Sequence, residues 1–369
     1  MESEIRLALA GDVMTGRGID QVLAHPGSPD LHEDVVHDAR SYVALAERVN
    51  GPIPRGAGPT WPWGDVLAEM DSFEPAVRVM NLETSVTRSD DAALDKAVNY
   101  RMCPSNIGVL TAARADVWAL ANNHVLDYGQ AGLLETLEVL AAAGLRSAGA
   151  GLDQHAAWRP AVATSPTGGP RVVVASVADV SSGVPPRWAA GPGRPGVALL
   201  PGLTAAAAAS LVERLRQDSQ PGDLRVVSIH WGGNWGYGIP REHRRFAHRL
   251  VDAGVHLVHG HSSHHPRPAE VYRGRLVLYG CGDLVNDYEG IGGYDSFRDD
   301  LRLLYEAKLD RGTGELIDLS MVPFRARRFT LERAALSDAE WLARTLGHAA
   351  RGLGTSVSVD GDGVLALRA

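Results

Sequence analysis

Two short apolar runs in this chain end abruptly in histidine. Residues 225–229 run straight into His230 and Trp231. Residues 255–258 run into His259, Gly260 and His261, with His264 and His265 just beyond. A neutral imidazole offers a nitrogen lone pair near neutral pH and is the commonest protein metal ligand. Histidines gathered at two neighbouring run ends therefore point to a metal site; the plainer alternative is an exposed loop that happens to be rich in histidine. Upstream the pattern recurs with other donors. Residues 5–10 end in Gly11-Asp12, residues 77–80 in Asn81-Leu82-Glu83, and residues 117–121 in Asn122-Asn123-His124. Carboxylate, amide and imidazole donors form the mixed oxygen and nitrogen set suited to Zn, Mn or Fe in a two-metal site with one bridging carboxylate. The candidate ligands are Asp12, Glu83, Asn123, His230, His261 and His264. Taken singly, each has a structural use: Asp12 and Asn123 as helix caps, Glu83 as an arginine partner, His230 as a satisfied core histidine. Their repetition at strand ends favours the metal.

The elements that must position these residues are legible from periodicity. Residues 225–229 and 255–258 read as strands joined by a helix over 240–253, and such a unit makes parallel neighbours. Both histidine groups then sit at the carboxyl ends of the strands, where open α/β sheets place their ligands. Further strands are expected at 5–10, 77–80, 117–121, 145–148, 172–177, 269–272 and 275–281. An antiparallel pair is expected at 301–309 and 315–322. Helices are expected at 41–49, 64–73, 106–113, 129–143, 204–217 (with Thr204 as N-cap) and 336–350. Residues 51–64 and 181–202 are Pro- and Gly-rich and read as irregular loops, with tryptophans that suggest packing over something. Gly282-Asp283 follows the strand expected at 275–281, with Asn286, Asp287 and Tyr288 in the loop after it. The last residues suggest a short hairpin around Asp360-Gly361-Asp362-Gly363.

With 369 residues and 45% hydrophobic content, the chain can bury a large core. One α/β domain over 1–369 is expected, with 330–369 as an alternative C-terminal appendage. A net charge of −8 argues against a nucleic-acid binder, though a metal can reverse the local field for an anionic substrate. The two cysteines, Cys103 and Cys281, suggest neither a disulfide framework nor a thiolate zinc site. The acidic N-terminus enters a strand at once, without a signal-peptide pattern, and no apolar run approaches a membrane span. A soluble cytoplasmic protein with no membrane partner is expected.

Taken in order, Gly-Asp, Asn-Leu-Glu, Ala-Asn-Asn-His, Ile-His-Trp-Gly and Gly-His-x-x-His resemble the CapA family, over about residues 5–288. Those proteins are named for poly-γ-glutamate capsule synthesis and resemble calcineurin-like metallophosphoesterases in fold. The resemblance implies an α/β fold of that type, with two packed mixed β-sheets flanked by helices, and two divalent metal ions. It further implies Asp12 on one ion, Glu83 where phosphoesterases place a bridging Asp, Asn123 on the second ion, and His124 as the neighbouring acid or base. His230, His261 and His264 complete the shell. Two motifs depart from the phosphoesterase pattern: Val13 and Met14 follow Asp12 where Asp-x-His is usual, and Gly-His-Ser-Ser-His replaces Gly-His-x-His.

Three functions follow as expectations. The first is epimerisation at a peptide Cα, since this chain resembles the soluble CapA-like peptide epimerases of lasso peptide biosynthesis. A metal would stabilise the enolate while His124 and His265 exchange the proton. Arg17 could clamp an anion, and Trp231, Trp235 and Tyr237 could wall a bulky side chain. Its partners would be a peptide substrate and a leader-binding protein. The second is hydrolysis of a phosphoester or a γ-glutamyl peptide, and the third is a non-enzymatic role in capsule assembly.

Overall fold

The structure, a computed structural model, describes residues 4–93, 96–165 and 168–369. Two large sheets dominate it. In the ten-stranded sheet the spatial order is Ser356–Val359, Leu365–Arg368, Leu316–Arg327, Leu301–Asp310, Glu4–Val13, Val77–Leu82, Val117–Ala119 and Ser147–Ala148. Asp283–Val285 also pairs with Glu4–Val13, and Thr330–Arg333 with Leu316–Arg327. The six-stranded sheet runs Ala269–Tyr272, Arg275–Leu278, Leu257–His261, Leu224–His230, Val172–Ala178 and Ala161–Ala163.

Alternation along the strands decides what each face covers. Ile5, Leu7 and Leu9 of the first strand share a core with Val172, Val174, Val226, Leu257 and Leu276 of the other sheet, so the two sheets pack face to face. The intervening residues Val173, Ala175, Val177, Val227 and Ile229 turn the other way, onto the helices Ala205–Asp218 and Arg241–Asp252. Ala10, Val13, Met80 and Trp118 likewise face the outer layer of the first sheet. This is the expected arrangement of two packed mixed sheets flanked by helices. Thr204 caps its helix as expected, accepting from the Ala207 amide.

Leu224–His230 and Leu257–His261 are parallel, in register from Val226↔Leu257 to His230↔His261. Glu4–Val13 is parallel to Val77–Leu82, with Asp12 opposite Asn81, and Val77–Leu82 is parallel to Val117–Ala119. The carboxyl ends of both parallel sets therefore converge on one edge of the sandwich. Several short elements are not expected from the sequence, among them the strands Ala161–Ala163 and Thr330–Arg333, and one of them bears on the site. Residues 283–285, where no strand is expected, form a strand parallel to the first, with Asp283 opposite Asp12. The C-terminal hairpin pairs onto Leu316–Arg327 through Ser320↔Ala366 and Met321↔Leu365.

Glu306, in the middle of Leu301–Asp310, is buried, and its Oε1 has no hydrogen-bond partner among the described residues. Burial, with Glu69 nearby, pushes its carboxyl up to about 7, although Arg333 and Lys308 pull the other way. A folded-state value above the unfolded one means that the native state holds the proton more tightly. The associated stability is present below about pH 4.5 and is lost as pH rises through about 7. Glu306→Gln is therefore expected to stabilise the protein by about 1–3 kcal/mol at pH 8 and to change little at pH 4.5. Thermal unfolding at both pH values checks this; an equal effect at both would contradict it.

Candidate metal centre

At the convergent edge three carboxylates are buried: Asp12, Glu83 and Asp283. Asp12 and Asp283 reach it on paired strands whose backbones almost touch. A Cβ at Gly11 would meet the Gly282 carbonyl oxygen at 1.9 Å, so only glycine permits the approach. Asn81 Nδ2 donates to Asp12 Oδ1 at 2.7 Å, and the Ser262 amide donates to Asp12 Oδ2 at 3.1 Å. Ser262 makes that bond from the left-handed region, at φ 101°, a conformation unfavourable for a residue with a Cβ. Its hydroxyl donates to the Gly232 carbonyl at 3.0 Å, tying down the turn that separates His261 from His264.

Two groups of side chains lie close enough to hold an ion. Asp12 with His230 and His261 form one; Asp12 with His264 and Asp283 form the other. Within each group the ligand atoms lie within 4.8 Å of one another. Asp12 is thus the shared carboxylate, the place expected for Glu83. Glu83 Oε1 stands 3.7 Å from His230 Nε2 and 3.8 Å from His124 Nε2, beside the first group. Asn123 Oδ1 lies 2.9 Å from His230 Nε2, and His230 Nδ1 lies 2.8 Å from His261 Nδ1. Ser228 Oγ, 2.9 Å from His261 Nε2, fixes the far side of that ring. His259, in the same run, is structural: its nitrogens face Ser228 Oγ and the Ala10 carbonyl.

The donor chemistry fits a cation. Burial pushes the Asp12 carboxyl up to about 7, with Asp283 adding to the effect. Burial, together with Asp12 and Asp283, also holds Glu83 well above its ordinary range. None of the three carboxylates is ion-paired with an arginine or lysine among the described residues. Burial lowers His230 and His261, leaving neutral imidazoles with lone pairs to give. A mixed carboxylate and imidazole set of this kind suits Zn, Mn or Fe.

His124 stands beside this cluster with its own support. Its Nδ1 lies 2.6 Å from Asp127 Oδ2, and its Nε2 faces Glu83. Asp127 is fully buried and accepts from the Tyr100 amide at 2.7 Å. Lys96 Nζ donates to Asp127 Oδ1 and to the Asn123 carbonyl, and it lies 3.1 Å from His124 Nδ1. Burial and the Lys96 ammonium lower His124 to about 4, against the opposing pull of Asp127. A neutral imidazole oriented by a carboxylate is a competent proton carrier.

Three residues expected at the site are committed elsewhere, each for a visible reason. Both ring nitrogens of His265 are engaged by backbone: Nδ1 lies 2.9 Å from the Pro266 carbonyl, and Nε2 accepts from the Gly236 amide at 3.0 Å. His265 therefore has no nitrogen free to act as a base. Arg17 is buried and committed, with Nε and Nη2 on Asp287 at 3.1 and 2.6 Å and Nη1 on Glu33 at 3.0 Å. It cannot clamp a substrate anion. Trp231 is fully buried, stacked on His243 and donating to the Tyr279 carbonyl at 3.0 Å, so it is core. Trp235 and Tyr237 remain at the rim. Trp235 stacks on Tyr294, with centroids 4.0 Å apart, and lies 5.5 Å from the His264 ring. Tyr237 packs on His265. Asp283 joins the site unexpectedly, although its Gly-Asp pair repeats the Gly11-Asp12 signal.

Asp283→Asn is expected to weaken retention of Mn or Zn by about tenfold or more, as should Asp12→Asn. Asp310→Asn, far along the same sheet, should not. Metal content after chelation and reloading measures this; equal retention in all three would contradict the geometry.

The model of the bacterial capsule synthesis protein PGA_cap family matches residues 6–288. A probable polyglutamine synthesis accessory protein of Mycobacterium tuberculosis (strain H37Rv) is 50% identical over 363 residues, covering 98% of this chain and 95% of the relative. The PGA biosynthesis protein CapA of Bacillus subtilis is 25% identical over 310 residues, covering 83% of this chain and 68% of that protein. Among solved structures, a phosphatase from Mycoplasma pneumoniae superposes with a TM-score of 0.47 at 12% identity, covering 89% of this chain and 97% of that one. That likeness is too distant to carry chemistry across. No helix among the described residues is long and apolar enough to cross a membrane. The family match and the near full-length relative place the chain in the bacterial capsule synthesis protein PGA_cap family.

Proposed function

We propose that this protein is a metal-dependent hydrolase that cleaves a glutamyl amide in the service of polyglutamyl polymer synthesis. The carrying observation is His124, held by buried Asp127 and directed at Glu83, beside two ligand groups that share Asp12. Divalent ions held there would polarise the scissile carbonyl and activate water. The protein's own contributions are then few and defined. Asn81 and the Ser262 amide orient Asp12, while Ser228 orients His261. His124 Nε2, unprotonated while Nδ1 donates to Asp127, takes the proton that the attacking water gives up and passes it to the leaving nitrogen. Lys96 holds Asp127 and the Asn123 backbone in one frame. The polymer enters through the relatives' names, which concern polyglutamine and PGA synthesis.

Cα epimerisation needs two groups on opposite faces of the carbon, one to remove a proton and one to return it. His124 fits one of them. The expected second, His265, is closed off by the Pro266 carbonyl and the Gly236 amide. A hydrolase needs only one such group beside the metals, so the geometry favours cleavage.

The metal-loaded protein is expected to release glutamate from a γ-linked glutamate oligomer, and His124→Ala to lower kcat by about 10²–10⁴-fold with metal content unchanged. Parallel reactions with p-nitrophenyl phosphate, and in D2O with mass and chiral amino-acid analysis, set the limits. Phosphate-ester cleavage alone, or deuterium uptake with inversion and no cleavage, would overturn the amidase reading. No turnover of any probe would point to a non-enzymatic accessory role.

A further inference from the structure

The opposite edge of the six-stranded sheet, where its parallel strands begin, carries a row of guanidiniums with a neutral imidazole between them. Arg225, His256 and Arg275 stand at or just before the starts of three adjacent strands, about 4.8 Å apart across the sheet. Arg216 joins them from the last turn of the neighbouring helix. A cavity of about 320 Å³ opens here, lined among others by Arg216, Arg225, His256, Asp223 and the 219–222 loop. The carboxylate lining it, Asp223, is taken by Arg171, whose Nε and Nη2 donate to it at 3.0 and 2.5 Å. Asp310, on the flank facing Arg275, accepts from Gly312 and Thr313.

Arg225 and Arg216 are held in place by backbone, and among the described residues no carboxylate is bonded to them or to Arg275. Arg225 Nε donates to the Gly254 carbonyl at 2.8 Å, and Arg216 Nη2 donates to the Ala253 carbonyl at 2.8 Å. The Arg225 amide donates to His256 Nδ1 at 2.9 Å, which leaves the His256 proton on Nε2 as a further donor. Arg275 Nη1 is buried without a partner among the described residues. Burial, with Arg216 and Arg275 nearby, pushes Arg225 below its ordinary value against the opposing pull of Asp223, so the crowding of guanidiniums outweighs that carboxylate. Such a concentration in a chain of net charge −8 runs against the composition. Like charges this close are stabilised by an anion between them.

We propose that this edge is a second, anion-binding site that takes a stretch of carboxylate-bearing glutamyl chain, on the face opposite the metal centre. The site itself stands on the arginines; its ligand's identity rests on the proposed polymer chemistry. A strand such as Leu224–His230 spans about 20 Å, so one oligomer of modest length reaches from this site to the metal edge. Binding at two points would retain the polymer through successive cleavages.

Titration calorimetry on the metal-loaded full chain, with a γ-linked glutamate decamer, tests the proposal. The decamer should bind. Arg216→Glu, a change at an exposed side chain, should weaken it by about tenfold or more, and Arg225→Lys by less. Raising salt from about 50 to about 200 mM should weaken it further. His124→Ala should leave binding intact while slowing cleavage, so loss of the hydrolase reading would not by itself remove the site. Inorganic tripolyphosphate is the control for a phosphate source. Binding of tripolyphosphate through the same arginines, with no decamer binding, would overturn the glutamyl assignment. Decamer affinity unchanged in Arg216→Glu, or binding of neither probe to the native protein, would overturn the site.

Discussion

The structure depends on placing three carboxylates out of water, side by side, with no arginine or lysine paired to them among the described residues and only His264 against Asp283. Asp12, Glu83 and Asp283 are buried, and the first two are pushed toward their neutral forms. A buried ionised carboxylate without a counter-charge is strongly unfavourable. The fold tolerates the arrangement by supplying neutral donors to Asp12, from Asn81 and Ser262, and by ringing the site with neutral imidazoles. Those donors orient Asp12 without supplying a counter-charge, which leaves the counter-charge to a divalent ion. The local backbone is shaped to the same end. Gly11 lets two strands approach to contact, and Ser262 adopts a left-handed turn so that its amide can reach Asp12.

The strands are legible in the sequence because burial on both faces leaves continuous apolar runs, and each run stops where polar chemistry begins. His230, His261, His264, Asp12, Glu83 and Asn123 all arrive at one edge for that reason. Asp283 escapes detection because its strand, Asp283–Val285, is too short to show periodicity and follows a glycine that reads as a turn. Trp231 belongs to the core, and its parity says so. Val227, Ile229 and Trp231 alternate together, and all three pack beneath the helices. Arg17 and His265 are not decidable from sequence. Asp287 lies 270 residues from Arg17, and Gly236, which closes the second nitrogen of His265, lies 29 residues from it, so whether either side chain is left open is set by tertiary contact. Residue type says what a group can bond to; only the fold says whether it has already done so.

The same distinction separates the readings of the chemistry. A cluster of histidines near a metal suggests a surplus of bases. Counting open nitrogens removes that surplus. His259, His261 and His265 have both nitrogens within hydrogen-bond distance of other protein groups, and His264 has Nδ1 3.0 Å from Asp283 and Nε2 3.3 Å from the Tyr288 hydroxyl. His124 differs because its anchored nitrogen faces Asp127 while the other points into the site. An arrangement with one oriented proton carrier beside a polarising centre suits bond cleavage with a leaving group to protonate. It does not suit a reaction that must be served symmetrically from two faces.

Charge is segregated along the strand axis, and this bears on how an acidic protein could handle an acidic polymer. At the metal edge the carboxylates become attractive to anions only once divalent ions reverse the local field. At the far edge Arg216, Arg225 and Arg275 are attractive without help. A polyanion meeting this surface would be captured first by the arginines, whatever the metal content, and delivered to the metal edge only where ions are present. Capture and chemistry would then be under separate control. A strand's length keeps the two edges apart, so the buried carboxylates at one end do not weaken the cations at the other.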